Sequence, residues 1–282
     1  MLIVALDFMS ALSRTLGGMS THTTEPGLIS VLDAADALPG AAELRARTYE
    51  LLHVAPGARV VDVGCGSGRA VAELTERGAD CVGVDPSETM LTAARHRWPG
   101  LEFVPGTAEE LPFPDGVLAG YRADKVFHEL PDVDAALREA MRVLAPGGRI
   151  VLLGQDWETF VIDSDEPGLT RTLVQARARS VTNPTVARRY RNLLLDQGFT
   201  DVTIEVHTAV FTDAAMLPVL TGLADHGLQV QAAPPEQITA WLDEQQRRAA
   251  AGRLFLAVPL FLAAGTRLGE RSTQDLGSDS RK

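Results

Sequence analysis

A doubly wound α/β fold with a mostly parallel sheet is predicted by three observations. A short apolar run, Val60-Val61-Asp62-Val63, leads directly into a glycine-rich turn, Gly64-Cys65-Gly66-Ser67-Gly68. Downstream, apolar runs of strand length alternate with helix-length segments as far as Leu153, the alternation that builds parallel sheets. The chain has 282 residues and 45% hydrophobic content, enough for one large core with an elaborated end.

Each element has its own signal. Gly40 to His53 reads as a helix with Leu44, Tyr49, Leu51 and Leu52 as apolar positions, closed by Pro56-Gly57. Val60 to Val63 is the first strand, Arg69 to Arg77 a helix, and Asp80 to Val84 the second strand. Ser87 supplies a cap oxygen for a helix running to Trp98. Leu101 to Val104 and Val117 to Tyr121 follow as strands, then a helix from Val133 to Leu144, and a fifth strand, Arg149 to Leu153, behind the Pro146-Gly147-Gly148 turn. Beyond it the pattern predicts one long helix, Leu169 to Gln197, and an alternating strand, Val202 to Phe211. A helical stretch from Asp213 to Arg248, interrupted near Pro234-Pro235, and an apolar strand from Leu254 to Ala263 complete the set. No internal repeat is present.

Composition narrows the function classes. A net charge of −11 with no basic stripe argues against a nucleic-acid partner, because phosphate binding needs clustered cations. Two cysteines, Cys65 and Cys81, form no disulfide framework or metal spacing and suit a reducing cytosol. Cys65 reads as a small turn residue. Lysine occurs only at Lys125 and Lys282 while arginine supplies the other basic residues, a skew that points to a GC-rich bacterial genome. Met1 to Leu16 is mildly apolar but has no positive n-region or cleavage site and is too short to span a bilayer. Residues 1–39 are read as a leader and cap region, with Met19 as an alternative start; a leader helix exchanged between subunits would make a homo-oligomer. Residues 269–282 are polar and expected to be disordered.

The glycine turn carries most of the functional information. Glycines remove Cβ atoms where the backbone turns sharply and where a ligand approaches the main chain. A dinucleotide fingerprint would need glycine where Arg69 stands. Asp62, just before the first glycine, would repel a pyrophosphate and attract an ammonium and a sulfonium. The site therefore suits a cationic nucleoside without phosphates.

Four ordered segments, Val60 to Gly68, Cys81 to Ser87, Gly106 to Phe113 and Arg142 to Arg149, make the chain resemble the class I S-adenosylmethionine-dependent methyltransferases, within their quinone-biosynthesis-like small-molecule branch. The resemblance covers roughly residues 45 to 155. It implies a Rossmann-like seven-stranded, mostly parallel sheet with an antiparallel edge hairpin. The methyltransferase domain would span residues 40–268, with acceptor-side elaborations near 155–200 and 213–248. The implied cofactor is S-adenosyl-L-methionine, and the partner a small-molecule acceptor rather than nucleic acid or membrane.

Ligands of such sheets bind at the carboxyl ends of the strands, and the candidate residues follow from those ends. Asp62, Gly64, Cys65, Gly66 and Gly68 would cradle the methionine part. Asp85, with Pro86 beside it, would accept hydrogen bonds from the ribose hydroxyls, or alternatively cap the next helix. Met90 would pack on the adenine or in the core. After the third strand the family usually has an acidic residue before alanine, where this chain has Thr107-Ala108; Thr107 is a weaker partner for the adenine amino group. Glu109 is placed among these contacts, although it and Glu110 also read as a solvated helix start. Arg122 would face the cofactor from the fourth strand.

On the acceptor side stand Tyr49, Asp124, Phe127 and Trp157. Methyl transfer from a sulfonium is an in-line displacement in which proximity and orientation supply most of the gain. A base is needed only for a protonated acceptor; His128 and Asp156 are the candidates, His128 alternatively shaping its segment. Asp156 with Asp124 lacks a third oxygen ligand, so no metal is expected. The arginines near Arg188 read as a solvated helix face. Carbon, nitrogen and oxygen acceptors all remain open. So do a non-methyl-transfer step such as cyclisation on the same cofactor and a non-catalytic cofactor-binding role.

Overall fold

The computed structural model describes residues 38 and 40–269, so the readings made for the leader and the tail fall on residues outside the described ones. Five strands run parallel: β1 (Arg59–Val63), β2 (Asp80–Asp85), β3 (Glu102–Pro105), β4 (Leu118–Asp124) and β5 (Leu144–Gln155). The helices between them are α2 (Arg69–Glu76), α3 (Glu88–Arg97) and α4 (Val133–Val143), and α1 (Ala41–Leu52) precedes β1. The order across the sheet is β3-β2-β1-β4-β5-β8, with β8 (Leu256–Arg267) antiparallel to both β5 and β7 (Phe199–Phe211). This is the predicted fold with its antiparallel edge hairpin. The sheet has eight strands rather than seven because Val161–Ile162 adds a two-residue β6 against β8.

Strands without polar alternation are buried on both faces, and β1 shows why its sequence reads as a continuous apolar run. Val61 and Val63 join a core cluster with Tyr121, Ile150, Leu137 and Tyr190 on one face. Val60 points the other way, into a cluster with Leu52, Val71, Leu91 and Val151. Both faces are covered by helices, so neither can accept a charge without a partner. That constraint governs the site.

Two expectations need correction. The long helix is broken into α5 (Pro167–Ala178) and α6 (Val186–Asp196). Pro184, which has no N–H to donate and disfavours helix in the residue before it, lies in the break. Backbone groups there are used elsewhere: Trp157 N–H donates to Pro184 O at 2.9 Å and Asn183 N–H to His128 O at 2.9 Å. β4 extends three residues further than predicted, to Asp124, which places Arg122 within the ladder. The 213–248 stretch resolves into a 3₁₀ turn (Ala214–Met216), α7 (Leu217–Gln229) and α8 (Pro235–Ala250).

The elements after β5 carry a third core of their own. Leu173, Leu220, Leu223, Ile238, Trp241 and Leu256 pack together, joined by Phe211 from β7. Trp241 Nε1–H donates to Thr170 Oγ1 at 2.9 Å, satisfying the polar edge that a buried indole must place. Glu244 on α8 accepts from Ser164 Oγ, Asp165 N–H and Arg248 Nε, tying the helix to the segment that enters α5.

Candidate active site

The chain completes β1, β2 and β3 on one side and then crosses to build β4 and β5 on the other, so strand order reverses between β1 and β4. A crevice outside the carboxyl ends opens at such a point. The glycine turn lies there. Gly64, Gly66 and Gly68 have φ of 66°, 53° and 81°, the left-handed region that a side chain disfavours. A Cβ on Gly68 would come within 2.6 Å of the Phe103 ring, and one on Gly64 would collide with Val126 Cγ2. Gly64→Ala is therefore expected to destabilise the fold by about 2 kcal/mol or more, from left-handed strain and overpacking together. Denaturant midpoints of the two proteins measure it.

The turn is fixed from below and from the side. Gly64 N–H and Cys65 N–H both donate to Val84 O, at 2.8 and 3.1 Å. The Cys65 side chain is buried, near enough to Gly83 that a Cβ there would lie 2.8 Å from its Sγ; burial pushes its thiol well above the usual range, which makes it inert. Asp85 reaches across from the end of β2. Its Oδ2 accepts from Gly66 N–H and its Oδ1 from Ser87 N–H, each at 2.9 Å. Ser87 Oγ in turn accepts from Met90 N–H at 3.4 Å and caps α3. One carboxylate thus joins the turn to the start of α3, and each of its oxygens keeps a lone pair for a further donor. Pro86 is exposed and Met90 buried.

Beneath the turn lies a charge network. Asp62 and Arg122 are cross-strand partners on β1 and β4, and both side chains are only 3% exposed. Arg122 donates from Nη1 to Asp62 Oδ1 at 2.6 Å, from Nη2 to Asp124 Oδ2 at 2.8 Å, and from Nε to Thr48 Oγ1 at 2.8 Å. Lys125 Nζ donates to Asp124 Oδ1 at 2.9 Å. The two cations hold the Asp124 carboxyl down at about 2. Asp62 is thus not an open charge awaiting a ligand, because its counterion is internal. Tyr49 lies on the same face, its ring 5.5 Å from the Arg122 guanidinium and its hydroxyl donating to Glu73 at 2.9 Å.

The segments after β4 and β5 meet. Lys125 takes a left-handed φ of 58° and its N–H donates to Leu153 O at 2.7 Å, which turns the chain over the sheet. Phe127 packs edge-on against Tyr190. His128, 1% exposed, lies 5.5 Å from the Trp157 ring, which stacks on Phe160 and carries the Arg177 guanidinium at 5.3 Å. His128 Nε2 is 3.5 Å from Glu129 Oε1, while Nδ1 has no hydrogen-bond partner and neither has Trp157 Nε1. Asp156 is fully buried and accepts from Arg188 Nε and Nη2 and from Glu158 N–H. Arg188 is therefore not merely part of a solvated face; it anchors α6 to the end of β5.

Burial lowers the pKa of His128 below the ordinary histidine value, against the raising pull of Glu129. A histidine depressed in this way takes its proton first in the unfolded chain. Stability should fall as pH drops below about 6.5 and stop falling on this account only below the folded-state value. His128→Asn should flatten that limb in denaturation midpoints taken across the same range.

The remaining predicted residues are dispersed. Thr107 is exposed in a bridge to Glu110, Ala108 is buried in the core, and Glu109 turns Oε1 inward without a partner. Thr107–Glu110 is a tight turn, not the start of a helix. Asp124 and Asp156 have separate cationic partners. No group of three or more His, Cys, Asp or Glu suited to a metal ion occurs among the described residues, and no helix among them is long and apolar enough to cross a membrane.

Residues 61–152 match the methyltransferase domain family. Over 108 residues the chain is 37% identical to the demethylmenaquinone methyltransferase of Beutenbergia cavernae, a match spanning 38% of this chain and 45% of that enzyme. Over 257 residues it is 30% identical to an uncharacterised 37.1 kDa protein in a transposon of Streptomyces fradiae, spanning 88% of this chain and 73% of that protein. The chain belongs to the class I S-adenosylmethionine-dependent methyltransferases. This methyltransferase also shares its fold with the YcgJ protein of Bacillus subtilis, with a TM-score of 0.57 at 19% identity over 80% of this chain and 99% of that one. The match to the demethylmenaquinone enzyme covers less than half of that enzyme's length.

Thr48, Gln155 and Arg188 were not among the predicted site residues. Thr48 and Arg188 become visible only through partners far away in sequence, and Gln155, buried with Oε1 unpaired, continues β5 beyond its apolar run.

Proposed function

We propose that this methyltransferase moves a methyl group from S-adenosyl-L-methionine to a small organic acceptor, a specialised metabolite or its precursor, by in-line displacement. The observation that carries the reading is the left-handed glycine turn at the strand-order reversal, with the Asp85 carboxylate beside it. A turn of left-handed glycines presents main chain without side chains at the crevice, where a ligand can lie on it, and the carboxylate suits a diol. Asp85 would accept the ribose hydroxyls on the lone pairs left by Gly66 and Ser87. Gly64, Gly66 and Gly68 would border the methionine part, and Met90, Thr107 and Ala108 the adenine. When bound, the cofactor supplies an electrophilic methyl on a neutral leaving group.

The residues of the chain then have three tasks. The Asp62–Arg122–Asp124 network holds β1 and β4 in fixed register below the turn, so Arg122 and Asp62 are positioning residues. Trp157, Phe160 and His128 wall the acceptor side with flat surfaces and exclude water. Asp156, held by Arg188, keeps the start of that wall in place rather than moving a proton. A neutral His128 could take a proton at Nδ1 from an acceptor that carries one, with Glu129 beside Nε2. The net charge of −11 favours an acceptor that is not a nucleic acid, and two unpaired buried thiols accord with a reducing cytoplasm.

Calorimetric titration with S-adenosylmethionine, S-adenosylhomocysteine and NAD tests the cofactor. Micromolar binding of the first two without NAD is the expected result; binding of NAD alone, or of none, overturns it.

A further inference from the structure

Beyond the active site, the hairpin edge of the sheet ends in β7, whose outer edge no strand of the described residues pairs; α1 reaches it through the Arg47–Glu205 ion pair. β7 pairs with β8 on one side, and among the described residues no strand pairs with its other side. Its even-numbered residues share one face, on which Ile204, Val206 and Val210 are 39%, 55% and 50% exposed. The register carries that strip onto the neighbouring strands. Val206 stands opposite Phe261, which is half-buried, and Val210 opposite Ala257, whose other neighbour is Val161, itself 55% exposed. An apolar strip therefore lies beside a row of unpaired backbone N–H and C=O groups.

Edge strands in proteins that stay monomeric are usually blunted by lysine, proline or a bulge. β7 has a bulge only at its start, where the register shifts between Thr200 and Thr203 and Asp201 takes a φ of 49°, and its one mid-strand carboxylate, Glu205, is neutralised by Arg47. From Thr203 to Phe211 there is no lysine, arginine, proline or bulge.

We infer that β7 is a homodimer interface, in which two copies extend the sheet by antiparallel β7–β7 pairing about a two-fold axis at Val206. The axis position follows from charge. In such a pair the residue at the axis faces itself and its neighbours pair symmetrically. An axis at Glu205 would set two carboxylates opposite each other, which destabilises a sheet, and one at His207 would oppose two imidazoles. At Val206, Glu205 of each copy, which is already held by Arg47 of α1 at 2.6 Å, faces His207 of the other, two residues of complementary character that lie 2.9 Å apart within one chain. Ile204 then faces Thr208, and Val202 faces Val210, so the apolar strip continues across the axis. A second copy is the occupant that makes the edge self-complementary.

Sedimentation velocity on the full chain at micromolar concentration tests this. The expected result is a species of twice the chain mass, and its loss to monomer in Val206→Lys, with the circular dichroism spectrum of that variant unchanged because the side chain is exposed in a single chain, and with a thermal midpoint that no longer rises with protein concentration as the wild type's does. Val206→Cys should form a covalent dimer on mild oxidation, since facing residues of an antiparallel pair have Cα atoms about 4.5–5.5 Å apart, within disulfide reach. Val117→Cys, equally on the surface but remote from β7, should not. A monomeric wild type, a dimer that survives Val206→Lys, or failure of Val206→Cys to cross-link would each overturn the proposal.

Discussion

Replacing Arg122 by methionine is expected to lower folding stability by about 3–5 kcal/mol, the usual effect of stranding a buried charge. The residue neutralises Asp62 and Asp124 at once, at 2.6 and 2.8 Å, in a layer covered by helices on both sides. Methionine fills much of the same volume, so the loss reports charge more than a cavity. The pH dependence distinguishes the two. Asp124 is held down at about 2, so its contribution is fully present above the unfolded carboxylate value of about 3.9 and disappears as pH falls toward the folded one. In the variant that carboxyl keeps Lys125 but loses its second counterion, and protonates more readily when folded. Burial already raises the Asp62 carboxyl, and the variant removes the Arg122 charge that offsets it, so the stability gap should begin to narrow above about pH 4 and go on narrowing toward about pH 2, as read from urea midpoints. Adding Asp62→Asn and Asp124→Asn should recover much of the loss at neutral pH. A loss below about 1 kcal/mol, of the size seen for exposed pairs, would mean that water reaches the network.

The second large effect concerns the cofactor. Asp85→Ala is expected to weaken S-adenosylmethionine binding by about 2–4 kcal/mol, roughly 30- to 1000-fold in dissociation constant. Two contributions add. The direct one is the pair of charge-assisted hydrogen bonds proposed for Asp85 and the ribose; the indirect one is the brace to Gly66 and Ser87, without which the turn and the start of α3 are separately held. Asp85→Asn separates them, because an amide can still accept from one backbone donor but offers fewer lone pairs to a diol. Nearly native stability with weakened binding in Asp85→Asn places the effect in the ligand contact. Unchanged affinity in Asp85→Ala would leave Asp85 as a brace alone.

How far the sequence could be read depended on the range of the interactions. The β1 strand, its turn and the Ser87 cap were legible because each rests on neighbours within a few residues. Strand–helix alternation was enough for the parallel half. The break at Pro184 was missed, although proline is a local signal, because the apolar periodicity resumes in phase beyond it. β4 was ended too early at Tyr121, since Arg122 and Asp124 look like loop residues until Asp62 and Lys125 are seen beside them. The charge of Asp62 was read as attracting a cationic ligand; that an internal cation, Arg122, stands beside it from 60 residues away in sequence could not be read from spacing. Arg188 likewise looked solvated because its partner, Asp156, lies across a gap of 32 residues.

The third core has a consequence for how such a chain can diverge. Three helices after β5, α5, α7 and α8, bury their apolar faces mainly against each other and the far ends of β7 and β8, while α6 packs with the first five strands, to which the glycine turn and the charge network belong. Substitutions around Leu220, Ile238 or Trp241 can therefore repack the third core, which meets the proposed acceptor wall at Phe160, without a direct contact to the glycine turn. Descent with modification can redraw one half of the molecule for a new substrate while the other half is inherited intact.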